Sequence, residues 1–319
     1  MNKPLLILTG PTAVGKTEIS IQLAKECGGE IISADSMQVY QKMNIGTAKI
    51  TPEQMQGVPH FMIDEWEPDE EFNVFIFQKK VKQYIEEIYR RGHLPILVGG
   101  TGFYIQAVLY DIAFTENQQD DSYRTELQKI AESPDGAHIL HEQLKKIDVV
   151  SAQNIHENNV KRVIRALEYY HFTGEPFSVH NERERQRKSP YNFHYVVLTM
   201  DREKLYQRID ARVDEMVREG LIDEVKGLLD AGYKRDLVSM QGLGYKEIAA
   251  YLEGECTLAD AIYRLKRDTR HFAKRQLTWF RREKEVTFLN KDNFKDNGEI
   301  VKEIWQGCKK KGLKGDTTT

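Results

Sequence analysis

Cysteine is scarce in this chain and stands apart where it occurs: Cys27, Cys256 and Cys308 are three in 319 residues, with no C-x-x-C pair. So odd and scattered a set excludes a disulfide framework and a cysteine-ligated zinc site, and it fits reduced thiols in a cytoplasmic protein. Long hydrophobic runs are missing too. The apolar stretch 5–8 is far too short for a signal segment or a membrane span. No internal repeat is visible. A formal net charge of −3 gives no overall leaning toward nucleic acid. The distribution does: residues 257–284 carry nine basic side chains against three acidic ones on a predicted helix. Local concentration of charge, not the global balance, decides what docks. A soluble monomer with one large or two smaller domains is expected from the length and apolar content.

What is present begins at residue 10. Gly10, Pro11, Thr12, Ala13, Val14, Gly15, Lys16 and Thr17 follow the apolar run 5–8 and lead into the helical pattern 18–24. The segment reads G-x-x-x-x-G-K-[ST] between a buried strand and a helix, the setting this motif requires. Its glycines let several backbone N–H groups point inward around an anion, and the new helix aims its positive end there. Lys16 adds a full charge, and the Thr17 hydroxyl suits a magnesium ion. The plain alternative is a glycine-rich turn. All four fixed positions with both flanking elements favour a loop that grips a diphosphate or polyphosphate.

Strand and helix alternate near the N-terminus. Residues 30–33 and 94–98 read as buried strands, and 73–91 as an amphipathic helix ended by Gly92. The pattern predicts an α/β protein with a P-loop NTPase-like parallel sheet, whose ligands sit beyond the carboxyl ends of the strands. The loop at 10, Asp35 and Thr101 all fall on that edge. Helical patterns at 121–133, 136–146 and 158–172 follow, then a solvated charged stretch at 182–188. Strand character returns at 194–198, with Asp201 as the cap of a helix over 202–219; another helix spans 221–231, and 286–289 reads as an edge strand. The organisation expected is a catalytic core of 1–112 and 192–319, with basic C-terminal helices, interrupted by a helical insertion at 113–191. Residues 309–319 read as a disordered tail.

Asp35, just past the second strand, suits a general base or the N-cap of a following helix; its place beside the phosphate loop favours the base. Arg208, early on a helix, has the planar and permanent charge that suits a departing pyrophosphate, although an exposed arginine paired with Asp201 or Glu215 is the commoner situation. His138 and His141 lack a third ligand and read as a solvated face. Basic residues interleaved with aromatics, among them Lys274, Arg275, Gln276, Thr278, Trp279 and Arg281, fit a surface that takes phosphates and stacks on bases. A charged outer face on a packed helix is the plain alternative. Lys161, Arg162 and Arg165 form a second basic face in the insertion.

Several segments together resemble the tRNA dimethylallyltransferases, also called tRNA isopentenyltransferases. They are the loop 10–17, Asp35-Ser36-Met37-Gln38-Val39-Tyr40, Asn44-Ile45-Gly46-Thr47-Ala48-Lys49, Val58-Pro59-His60, Leu97-Val98-Gly99-Gly100-Thr101-Gly102, Val160-Lys161-Arg162, Gly242-Leu243-Gly244-Tyr245 and the segment 274–281. They run in family order over nearly the whole chain. Asn44 stands where aspartate is usual, Ile50 where proline is, and Phe61 where a second histidine is common. The resemblance implies a P-loop core in which dimethylallyl diphosphate, not ATP, occupies the loop with magnesium on Thr17. The acceptor it implies is the exocyclic amine of the adenosine 3′ of the anticodon in a tRNA anticodon stem-loop. Asp35 is then the base, and Lys16, Arg208 and Thr17 act on the leaving pyrophosphate. Thr101 would position substrate, and Ser36, Met37 and Gln38 would line the adenine pocket. Gln241, Gly242 and Gly244 join the two basic faces as RNA contacts. Three rivals remain on the residues alone: a P-loop nucleotide kinase, an isopentenyltransferase acting on free AMP, and a nucleotide-gated RNA-binding switch without catalysis.

Overall fold

Four apolar residues in a row, Leu5 to Leu8, are fully buried and form the heart of the central strand. Such unbroken apolar strands belong to parallel sheets covered on both faces. A computed structural model describes residues 3–114 and 122–313 of the chain. Contacts divide it into two compact units, Met1–Leu109 with Pro190–Thr319, and Tyr110–Ser189.

In the first unit the strands β1 (Lys3–Thr9), β2 (Gly29–Ala34), β3 (His60–Phe61) and β4 (Leu94–Gly99) alternate with helices. These are α1 (Lys16–Cys27), α2 (Pro52–Met55), α3 (Val74–Arg90) and α4 (Gly102–Leu109). Asn73 caps α3 by accepting from the Phe75 and Ile76 amides, which fixes where that amphipathic helix begins. The chain order passes to the second unit for α5 to α9 and returns with β5 (Tyr191–Thr199), α10 (Arg202–Arg218), α11 (Leu221–Asp230), α12 (Tyr245–Leu252), α13 (Leu258–Phe280), β6 (Val286–Asn290) and α14 (Asn297–Lys310). All six strands run parallel in the order β3-β2-β4-β1-β5-β6. The sheet is therefore the α/β arrangement that the alternating pattern predicts, with 286–289 at its edge. Because β4 slots between β2 and β1, the loops leaving β1, β2 and β4 emerge side by side. Their backbones nearly touch: a Cβ on Gly99 would lie 2.1 Å from the Ala34 carbonyl oxygen.

The second unit is helical among the described residues: α5 (Ser122–Ala131), α6 (Gly136–Ile147), α7 (Val149–Asn154), α8 (Val160–Thr173) and α9 (Phe177–Arg185). It has its own core around Leu127, Leu140, Leu144, Val163 and Leu167. Asp148 joins two helices by accepting from the amides of Ser151 and Ser178.

Two sequence expectations are corrected here. The charged stretch 182–188 is not simply solvated, because α9 continues to Arg185 and Glu184 is buried. One oxygen of its carboxylate accepts from the Ala113 amide at 3.1 Å and meets Arg187 at 2.9 Å. Nor does the tail begin at 309: α14 runs to Lys310, and buried Leu313 returns its amide to the Cys308 carbonyl. Residue 121 of the expected helix and residues 314–319 of the expected tail lie outside the described residues. No helix among those described is long and apolar enough to cross a membrane.

Candidate active site

The first unit encloses a cavity of about 1050 Å³ at the carboxyl edge of its sheet, lined by Thr12, Ala13, Gly15, Lys16, Thr17, Asp35, Gln38, Arg208 and Gln276 among others. The phosphate loop forms one wall. Gly10 (φ 149°) and Gly15 (φ 92°) take backbone conformations that side chains resist, and a Cβ on Gly10 would sit 2.5 Å from the Leu198 carbonyl. Pro11 and Val14 are buried beneath the loop. Lys16 folds its amine across the loop onto the carbonyls of Gly10 and Pro11, both at 3.0 Å. Burial, then repulsion from Arg212, lowers its pKa to about 8 despite attraction to Asp35. On α10, Arg208 donates to the Ala13 carbonyl at 2.9 Å, and burial holds Arg212 below its ordinary range. Arg212 was not singled out by sequence reasoning, although it follows Arg208 by four and so shares its helix face. Thr17 is exposed, and its hydroxyl has no protein partner among the described residues.

Asp35 leaves β2 and accepts from the amides of Met37 (2.9 Å) and Gln38 (3.3 Å) through one oxygen. No helix follows, so the capping alternative falls; this is an Asx turn, and the second oxygen has no hydrogen bond among the described residues. Gln38 lines the cavity, and its side-chain amide donates to the Thr47 and Ala48 carbonyls. Met37 rests on Gly242, where a Cβ would meet its methyl carbon at 2.5 Å. Ser36 is half-buried, and Thr101 opens α4 with its amide on the Ala34 carbonyl. These three are not among the residues lining the cavity.

The loop 44–49 is held by a residue that sequence reasoning missed. Glu224 on α11 accepts from three successive amides, Asn44 (2.9 Å), Ile45 (2.8 Å) and Gly46 (3.1 Å), and from the Tyr245 hydroxyl (2.6 Å). The ring of Tyr245 lies against Gly46, where a Cβ would come within 2.5 Å of it, and Gly244 (φ 95°) opens α12 beside it. Buried Lys49 reaches Asp64 and Asn44, so the asparagine at 44 keeps a local role.

The basic stretch divides between the two faces of α13. One face bears a smaller cleft of about 450 Å³ lined by His271, Lys274, Arg275, Thr278, Trp279 and Arg282. Arg281 is exposed at the helix end, outside that lining. Gln276, expected on this face, is instead buried on the other: it accepts from the Thr12 amide at 2.9 Å and donates to the Gly100 carbonyl at 3.0 Å. The reason is geometric: at 276 the helix turns its side chain inward, where it bridges the loops after β1 and β4. Gln241 is exposed with its amide on the Arg235 carbonyl. In the helical unit Lys161 and Arg162 are exposed, but Arg165 is half-buried, with Glu168 and Arg124 as its charged neighbours. His138 pairs with Glu157, and His141 meets the carbonyls of Ala152 and Ile155.

A parallel sheet, a glycine loop opening a helix after its central strand, and a cavity that brings Lys16, Arg208 and Arg212 to that loop define a P-loop-like α/β protein. The chain belongs to the IPP transferase family, whose model matches residues 38–283. A tRNA dimethylallyltransferase of Lachnoclostridium phytofermentans is 61% identical over 302 residues, covering 95% of this chain and 96% of that protein. The crystal structure of a full-length tRNA isopentenylpyrophosphate transferase from Bacillus halodurans is similar at 48% identity and a TM-score of 0.72, with 98% of each chain covered. A eukaryotic dimethylallyltransferase acting on tRNA is similar at 28% identity and a TM-score of 0.82, over 99% of this chain and 81% of that one.

Proposed function

We propose that this protein, acting as a monomer, transfers a dimethylallyl group from dimethylallyl diphosphate to the exocyclic N6 amine of the adenosine 3′ of a tRNA anticodon. The observation that carries the reading is one cavity that joins the phosphate loop, Arg208 and Arg212 to a carboxylate with a vacant oxygen, Asp35. The adenine amine is a poor nucleophile, because its lone pair is delocalised into the ring. As its nitrogen bonds to the first dimethylallyl carbon, Asp35 takes the proton and the carbon–oxygen bond breaks. The bond's electrons leave with pyrophosphate. Charge then grows beside Lys16, Arg208, Arg212 and the phosphate loop, which can offset it. Lys16 must release the two carbonyls to meet it.

The described residues contain no group of three or more His, Cys, Asp or Glu that could cage a metal. A magnesium ion therefore fits only as one carried largely by the diphosphate, with Thr17's unpartnered hydroxyl as its protein ligand. When bound it would offset phosphate charge. The adenosine must leave its stack to reach the cavity, at a cost of a few kcal/mol. The α13 cleft and the exposed Lys161 and Arg162 are suited to gripping the anticodon stem-loop.

The test supplies dimethylallyl diphosphate and bulk tRNA, then digests the RNA and reads nucleosides by mass. Prenylated adenosine is expected. Transfer of a γ-phosphate from ATP without that product would instead establish a kinase, and equal turnover of free AMP would establish the AMP-directed enzyme.

A further inference from the structure

A further cation stands at the phosphate loop. Lys291 sits in the turn just after β6, on the same sheet edge as the loops leaving β1, β2 and β4. The turn is pinned: Asn290 caps it by accepting from the Asp292 amide, and Asp292 in turn accepts from the Asp201 amide and from Lys204. So Lys291 has a fixed root. Its ammonium lies over Gly15, 2.8 Å from where a Cβ would stand, and an Arg208 guanidinium nitrogen is 3.6 Å from the same point.

The surroundings do not neutralise it. Glu18 and Asp292 are the nearby carboxylates, and neither pairs with it. One oxygen of Glu18 accepts from the Asn297 side chain at 2.8 Å, and both oxygens of Asp292 are taken, each at 2.6 Å. The Lys291 ammonium makes no hydrogen bond or salt bridge among the described residues. It is half-buried and faces Arg208, and that burial and repulsion hold its pKa down. A desolvated, unpaired ammonium beside a second cation is unfavourable unless an anion arrives. It also lies outside the stretch 38–283 that matches the family model.

We infer that Lys291 is a direct ligand of the diphosphate, gripping the phosphate that lies over Ala13–Gly15 and joining Lys16, Arg208 and Arg212 around the leaving group. The inference rests on the diphosphate reading proposed above. As the carbon–oxygen bond breaks, the electron pair moves onto the pyrophosphate, and Lys291 adds one more compensating charge there without taking part in proton transfer.

Inorganic pyrophosphate titrated calorimetrically into the full chain tests it. In Lys291→Ala the dissociation constant should rise about tenfold or more, and Lys291→Arg should recover most of that loss. Without ligand, the melting temperature of Lys291→Ala should hold or rise, since a repulsion with Arg208 is relieved. Affinity for tRNA should be unchanged. An unaltered pyrophosphate affinity, or a fall in melting temperature that Lys291→Arg does not repair, overturns the inference. If the affinity falls as expected while the parent makes no prenylated adenosine, Lys291 stands as a diphosphate ligand and the prenyl-transfer reading fails. A parent that binds no pyrophosphate sinks both.

Discussion

At the amino edge of the sheet, the Glu30 carboxylate is buried and takes two hydrogen bonds from Arg91 (2.7 and 2.9 Å) as well as a contact with His93. Lys3 there is paired with Glu86, and Lys311 donates to the Phe193 carbonyl. At the carboxyl edge, Lys16, Arg208, Arg212 and Lys291 gather around one loop with the carboxylates Asp35, Glu18 and Glu219 nearby. Ion pairs thus tie up Glu30 and Lys3 at one edge, whereas at the other Lys16, Arg212 and Lys291 have no ion-pair partner within salt-bridge distance among the described residues. Crowded like charges cost folding free energy, so a chain that pairs them elsewhere leaves them unpaired where a ligand completes the balance. One edge serves the fold, and the other is complete only when occupied.

The largest effect should come from Asp35, the acid that follows β2. Asp35→Asn keeps the turn's hydrogen-bond acceptor but cannot take the amine proton. Single-turnover prenylation is expected to fall about 10²- to 10⁴-fold. Binding of tRNA should stay close to the parent's. Turnover at the parental rate would remove Asp35 from the mechanism and leave the edge a mere anion trap.

The amino edge predicts the opposite profile. In Glu30→Gln, Arg91 and His93 lose their charged partner, and stability should fall by about 1–3 kcal/mol with catalysis at moderate temperature intact. Arg212→Gln should do the reverse, impairing transfer without lowering the melting temperature. Burial alone would raise the Glu30 pKa, but the hydrogen bonds from Arg91 and His93 outweigh it and hold it below the ordinary 4.5. A depressed carboxylate stabilises the fold above the unfolded value, and that contribution is lost as pH falls through the folded one. Melting curves of parent and Glu30→Gln should therefore lie well apart at neutral pH and draw together in acid. A gap that is constant with pH would show that Glu30 matters only for packing.

Much of this contrast is legible in the residues before any coordinates. The spacing of Gly10, Gly15, Lys16 and Thr17 marks the loop, and the runs at 5–8, 30–33 and 94–98 mark the strands it needs. Periodicity reports what a segment does locally, however, and not which side chains meet across the chain. Glu224 clamps amides 178 to 180 residues away, and Gln276 ties down Thr12 at a separation of 264, so neither role leaves a local trace. The charge run at 182–188 misled for the same reason: its buried member, Glu184, accepts from the Ala113 amide, 71 residues away.

A smaller effect sharpens the contrast from outside the cavity. Lys274 lines the α13 cleft, is exposed and makes no salt bridge among the described residues, so it is free to meet a phosphate. Each phosphate contact releases counterions from the nucleic acid, and the affinity then depends on salt in proportion to the number of contacts. Lys274→Ala should weaken tRNA binding several-fold at low salt and lower the slope of log affinity against log salt by about 0.7–1. Pyrophosphate affinity should not change, because this charge acts on the RNA backbone and not on the leaving group. Equal slopes in variant and parent would mean that α13 offers shape and stacking from Trp279, with its charge left to the solvent.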